Sequence, residues 1–184
     1  NLRWLYAGAV ALGLAVLTKY NGVFLGVGLV VFFLAHRPVR AMWRSPHLYA
    51  AALVAVAIQA PVVWWNFTEG FASYKFHLSE RWGGSLFTFH PLNVLEFLVV
   101  ATLAMSPFLV PALVGMARRP LGVPFADRAR VLSLSIFAAS SLGMLFLSMF
   151  VEIFFYWNIV AILPLMPLLA GWIRRRWVLL LHLL

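Results

Sequence analysis

Lys75, His77 and Arg81 gather three basic side chains in a segment that also carries Glu69, Glu80 and His90 among Phe67, Phe71, Phe76, Trp82, Phe87 and Phe89. On a helix His77 and Arg81, four residues apart, share a face. Cations grouped in this way suit an anionic ligand, and arginine offers a planar fork that matches phosphate oxygens. The same residues allow a plainer reading. Glu69 and Glu80 balance Lys75 and Arg81 in charge, so exposed ion pairs or headgroup contacts would also account for them. Both readings stay open.

Two further clusters carry polar chemistry. Lys19 sits in a Thr-Lys-Tyr-Asn-Gly break (Thr18 to Gly22) between apolar runs. An ionisable residue there is either a functional cation or one that snorkels to the surface. Glu152, Tyr156, Trp157 and Asn158 form the other cluster, which reads as an interfacial aromatic belt or as ligand contacts. No Gly-rich phosphate loop, HExxH zinc helix or GxSxG elbow occurs. Cysteine is absent, and His36, His47 and His182 are scattered, so no metal site is expected, and no cofactor can be named. Asn66-Phe67-Thr68 fits the N-glycosylation pattern, a match that arises often by chance.

The elements that must position these residues are apolar. Hydrophobic residues make up 64% of the chain and charged residues 10%, far from the balance of a soluble domain. Apolar runs between polar breaks predict helices at about 4–17, 22–35, 47–65, 93–116, 132–151 and 156–173, then a short run from Trp177. The expectation is an all-α polytopic transmembrane bundle of about six helices and a truncated seventh, forming one domain over residues 1–184. It also takes the chain as cut at both ends. The first two runs are short for a bilayer, and two helices are preferred over one long bent helix across 4–35.

Charge supplies the topology. Arg3, then Arg37, Arg40 and Arg44, then Arg118, Arg119, Arg128 and Arg130, then Arg174, Arg175 and Arg176 make eleven of the fourteen Lys and Arg residues, all in alternate connections. By the positive-inside rule this side is cytoplasmic and the connection from Asn66 to Pro91 lies outside. That outer segment is expected to be partly helical along the interface, ending at Gly83 and Gly84. The net charge of +9 is thus a membrane-orientation signal, and nucleic acid is not an expected partner.

Three segments together resemble the glycosyltransferase family 39 group, relatives of protein mannosyltransferases and of lipid A aminoarabinose transferase. They are Gly13 to Leu34 (GLAVLTKYNGVFLGVGLVVFFL), Ala60 to Gly84 (APVVWWNFTEGFASYKFHLSERWGG) and, more loosely, Val151 to Trp172. The resemblance implies a GT-C architecture and sugar transfer from a polyprenyl-phosphate donor to a lipid, glycan or protein acceptor. It places this chemistry at the outer face of a bacterial plasma membrane, and the catalytic carboxylate in a loop upstream of Asn1. It implies that Arg81 contacts donor phosphate, and that Asn66 and Tyr74 are motif positions. The late segment departs from the family pattern: Phe150 and Val151 precede Glu152 where a basic residue is usual, and Asn158 follows Trp157 where proline is usual. A transporter or lipid-sugar flippase subunit is the alternative, since such proteins need broken helices and polar groups at mid-membrane. A membrane scaffold without catalysis is a third reading.

The topology has a direct test. Single cysteines introduced by Ser79→Cys and Ala126→Cys are expected to react with an impermeant thiol reagent from opposite sides of the membrane. Reaction of both from one side would overturn the assignment.

Overall fold

The computed structural model describes residues 1–78, 88–173 and 176–181. Among these, all regular structure is helical. The chain runs through α1 (Leu2–Thr18), α2 (Val23–Ala35), α3 (Pro46–Ala57), α4 (Ala60–Thr68), α5 (Ala72–Leu78), α6 (Pro91–Met105), α7 (Val110–Arg118) and α8 (Pro124–Ser148). The short helices α9 (Ile159–Ile162), α10 (Met166–Leu169) and α11 (Arg176–Leu181) follow. The bundle is turned inside out relative to a soluble fold. Leu53, Leu92 and Leu142 are more than half exposed, while Ser133, Ser135, Ser140, Ser148, Asn66 and Asn158 are buried.

Contacts order the helices. Tyr6 Oη lies 3.0 Å from His47 Nδ1, and Gln59 Nε2 donates to the Gly13 carbonyl at 2.7 Å, so α1 and α3 run in the same direction. Phe24 meets Gly143 while Gly28 meets Ile136, so α2 and α8 are antiparallel. Ser140 bonds Asn158 and Ser133 bonds the Pro164 carbonyl, which makes α9 and α10 return along α8. His90 N–H donates to the Met149 carbonyl at 2.7 Å, placing the start of α6 beside the end of α8. These directions put the connection of Arg37–Arg44 at the same end as Arg118, Arg119, Arg128 and Arg130. The Lys19 break lies at the other end.

Helix continuity differs from the sequence expectation in four places. The two opening helices are separate, as preferred. The run 47–65 is bent by 43° between α3 and α4, and 93–116 is bent by 78° between α6 and α7. Pro61 and Pro107, which lack an N–H, begin the second half of each. The run 156–173 is not one helix but α9, α10 and short 3₁₀ turns. In contrast α8 begins at Pro124, well before the expected 132. Its first turns carry Arg128 and Arg130, residues that charge alone assigns to a loop. They are held there by geometry: Asp127 accepts from the N–H groups of Leu121 and Gly122, and Arg130 bonds both Asp127 and the Met116 carbonyl. Among the described residues only α8 is by itself long and apolar enough to cross a membrane, and the count rises to four when each bent pair, including Tyr20–Ala35 with Arg37–Arg44 at 108°, is one span.

Among the described residues α2 and α8 approach each other closely. A Cβ on Gly28 would lie 2.5 Å from Cα of Ile136 and 3.0 Å from its nitrogen, so neither backbone can retreat without separating the helices. In lipid, where apolar surface gains little from association, such close packing is what joins helices. Gly28→Ala is therefore expected to destabilise the protein by about 1–3 kcal/mol, the cost of overpacking. Gly8→Ala, with nothing within 4 Å of the added carbon, should be neutral. Melting of both variants in detergent checks this.

Candidate functional site

The break after α1 is made locally. Thr18 Oγ1 turns back onto the Ala15 carbonyl at 2.8 Å, and Lys19 is extended at φ −156°, ψ 128°, which stops the helix. A 3₁₀ turn, Tyr20–Gly22, then reverses the chain against Ala15. Gly22 is required there, because a Cβ would lie 2.7 Å from the Ala15 carbonyl.

From this break three side chains reach to distant segments. Lys19 Nζ sits 4.5 Å above the centre of the Tyr156 ring, a cation–π contact. Tyr20 Oη lies 2.8 Å from Ser73 Oγ, and its ring is 6.3 Å from that of Tyr74. Asn21 Nδ2 donates to the Trp157 carbonyl at 3.2 Å. The three regions that sequence alone picked out as separate clusters thus meet at the end of the bundle opposite the described arginine-bearing connections.

Asn66 anchors the second of these regions from within. It is fully buried, its amide nitrogen donates to the Val62 carbonyl at 2.9 Å, and its oxygen accepts from Tyr74 N–H at 3.2 Å. Phe71 N–H adds a bond to the Asn66 carbonyl. Between them Gly70 and Phe71 both take left-handed conformations, φ 62° and 63°. For Phe71 this is costly, and its ring contacts with Phe67 and Tyr74 help to hold it. Asn66 therefore brackets the α4–α5 corner and sets Tyr74 and Lys75 on α5. The glycosylation tripeptide has its acceptor nitrogen inside the fold. Lys75 is exposed on α5. His77 lies on the same helix, while its side chain, together with Glu80, Arg81, Gly83 and Gly84, lies outside the described residues.

The third region rests on buried polar bonds. Asn158 is 3% exposed; its oxygen accepts from Ser140 at 2.8 Å and its nitrogen donates to Ser141 at 3.1 Å. This holds the 3₁₀ turn Phe155–Asn158, on which Tyr156 is exposed and Trp157 half-buried. Phe154 stacks on Tyr156 at 5.7 Å and meets Trp157 edge-on at 5.6 Å. Glu152 is exposed and forms no ion pair with a described residue. Among the described residues no three of His, Asp and Glu are grouped to hold a metal.

Tyr20, Ser73, Ser140 and Ser141 are the members that the sequence alone did not single out, whereas Asn158 belonged to the expected cluster and proves to be its buried support. One signal was available: Ser133 and Ser140, seven residues apart, share a face of an otherwise apolar helix. Chemically, an exposed ammonium beside phenol hydroxyls and aromatic rings can hold an anion and stack on a sugar or acyl group.

Residues 1–65 match the family model described as dolichyl-phosphate-mannose-protein mannosyltransferase. The match bears out the resemblance drawn from Gly13 to Leu34. It covers the Lys19 break and stops one residue short of Asn66, so the outer segment lies beyond it. No curated protein and no solved structure matches the chain.

The convergence is directly testable, because the chain has no cysteine of its own. Tyr20→Cys combined with Ser73→Cys is expected to be bridged by a short bis-maleimide, detected as a loop-closed species on electrophoresis after cleavage between the two sites. Tyr20→Cys with Ala126→Cys should not be bridged.

Proposed function

We propose that this chain is part of a membrane glycosyltransferase that takes a sugar from a polyprenyl-phosphate donor and passes it to a lipid, glycan or protein acceptor at the outer face of a bacterial plasma membrane. One observation carries the reading. The Lys19 break, which lies inside the family match, is drawn against Tyr156 and Tyr74 by direct contacts. Lys19 supplies a cation for the donor phosphate, Tyr74, Tyr156 and Trp157 supply aromatic walls, and Lys75, His77 and Arg81 extend the basic surface along the outer segment. Arginine at position 81 adds a bidentate contact that an ammonium cannot make. Asn66 acts through Tyr74 and Lys75, by fixing the corner they stand on. Glu152 is assigned to the rim, toward the acceptor.

The bent pairs α3–α4 and α6–α7 and the buried Asn158 group favour a second reading, a transporter or lipid-sugar flippase subunit, because alternating access uses broken helices with polar centres. The two differ in what is made: a transferase changes the glycan covalently, a transporter only its side of the membrane.

Transfer from a labelled polyprenyl-phosphate sugar, measured in membranes holding the full-length protein at matched expression, tests the first reading. A charge-assisted hydrogen bond is worth about 1.5–3 kcal/mol, or roughly ten- to hundredfold in catalytic efficiency. Lys19→Met and Arg81→Ala are each expected to lose that much, and Arg81→Lys less than Arg81→Ala. Glu80→Gln should stay close to wild type. Near-normal transfer in both Lys19→Met and Arg81→Ala would remove the phosphate role from this cluster.

A further inference from the structure

At the arginine-bearing end, away from the cluster just described, a cavity of about 520 Å³ lies between α7 and the side chains of Trp172, Ile173, Trp177 and Val178. It exists because α6 stops early. Ser106 is forced to φ 73°, Pro107 follows, and the 78° bend swings α7 away from the line of α6. Fifteen residues of α6 rise about 22 Å, so the bend falls in the leaflet on the arginine side. Phe108, Pro111 and Val114 line the cavity along with Trp172 and Trp177. Phe108 and Trp177 meet edge to face at 5.3 Å, and Trp172 covers Gly115 so closely that a Cβ there would lie 2.9 Å from its ring.

The charge at this cavity is of one sign. Arg118 and Arg119 line it, and no acidic residue does among the described residues. Three other arginines at this end are engaged, Arg40 with the Leu34 carbonyl, Arg128 with the Pro124 carbonyl, and Arg130 with Asp127 and the Met116 carbonyl, while Arg37 and Arg44 stand away from the cavity. The side chains of Arg118 and Arg119 are exposed and bond no described residue. Trp172 Nε1 is buried and meets no hydrogen-bond partner among the described residues. An apolar slot opening beside two guanidinium groups that bond no described residue matches one class of molecule, with hydrocarbon in the slot and phosphate at its mouth.

We propose that this cavity binds an anionic phospholipid of the arginine-side leaflet, its acyl chain along Phe108, Pro111 and Val114 and its phosphate on Arg118 and Arg119. The inference is independent of the transferase reading. A soluble anion would need polar groups around it, and away from Arg118 and Arg119 the walls here are mostly apolar.

The experiment uses full-length protein delipidated in detergent and titrated with phosphatidylglycerol or phosphatidylcholine, with bound lipid read by native mass spectrometry. Wild type is expected to prefer phosphatidylglycerol roughly thirtyfold, the size expected for two basic residues near a headgroup. Arg118→Gln with Arg119→Gln should bring the two lipids to parity, and Val114→Trp, which fills the slot, should reduce binding of both. Arg37→Gln with Arg44→Gln, at the same end but away from the cavity, should leave the preference unchanged. Equal binding of the two lipids by wild type overturns the proposal, as does an equal loss in the Arg37 and Arg44 control. Retention of lipid by Val114→Trp, or full displacement by glycerol phosphate, also overturns it, the last by showing a soluble-anion site.

Discussion

A helix broken inside hydrocarbon frees backbone N–H and C=O groups that lipid cannot satisfy, and each unsatisfied group costs several kcal/mol. This chain breaks its helices repeatedly, so its architecture depends on how those groups are covered. At the α3–α4 bend the Gln59 amide covers the Ala55 carbonyl at 3.4 Å and also reaches the Gly13 carbonyl of α1. At the end of α8 the Met149 carbonyl takes the N–H of His90. At the Lys19 break Asn21 reaches the Trp157 carbonyl. In each case a polar group at a break bonds another segment, so the bonds made at the breaks also pin two distant parts of the chain together.

The candidate site is a product of that economy. Lys19, Tyr20 and Asn21 can project from the bundle only because α1 ends there, and they are ordered because their partners on α5 and beside Trp157 are ordered in turn. Asn66 and Asn158 supply that order from the interior. Both are buried, both use their oxygen and nitrogen, and neither presents a free polar atom. Polar groups at such positions stabilise one arrangement of broken helices over others, since a shifted register would strand them unpaired in a low-dielectric setting.

The two ends of the bundle differ in kind. One presents a lysine, tyrosines and indole rings on short turns whose side chains bond across the fold. The other presents arginines, two of which, Arg40 and Arg130, are tied to carbonyls in the last turns of helices, where a cation also complements the helix dipole. Arg130 is the clearest case, bonding Asp127 on its own helix and the last turn of α7. Charge segregation therefore gives the bundle two unlike ends, and at one of them Arg130 also closes the connection between α7 and α8.

The amino-acid sequence by itself determined the helical class, the separation of α1 from α2, the gathering of arginines at one end, and the residues worth examining. These follow from composition and from local chemistry, such as Lys19 and Gly22 between apolar runs. Only the tertiary structure decided where the longer runs bend, because an apolar run of 93–116 reads the same whether or not Ser106 adopts a left-handed conformation before Pro107. It alone revealed that Asn66 faces inward, that α8 carries Arg128 and Arg130 as helical residues, and that Lys19 meets Tyr156 across more than a hundred residues of chain. Sequence periodicity reports which face of one helix is apolar. Which faces meet depends on close approaches such as Gly28 against Ile136 and on long-range bonds, and those exist only once the helices are packed.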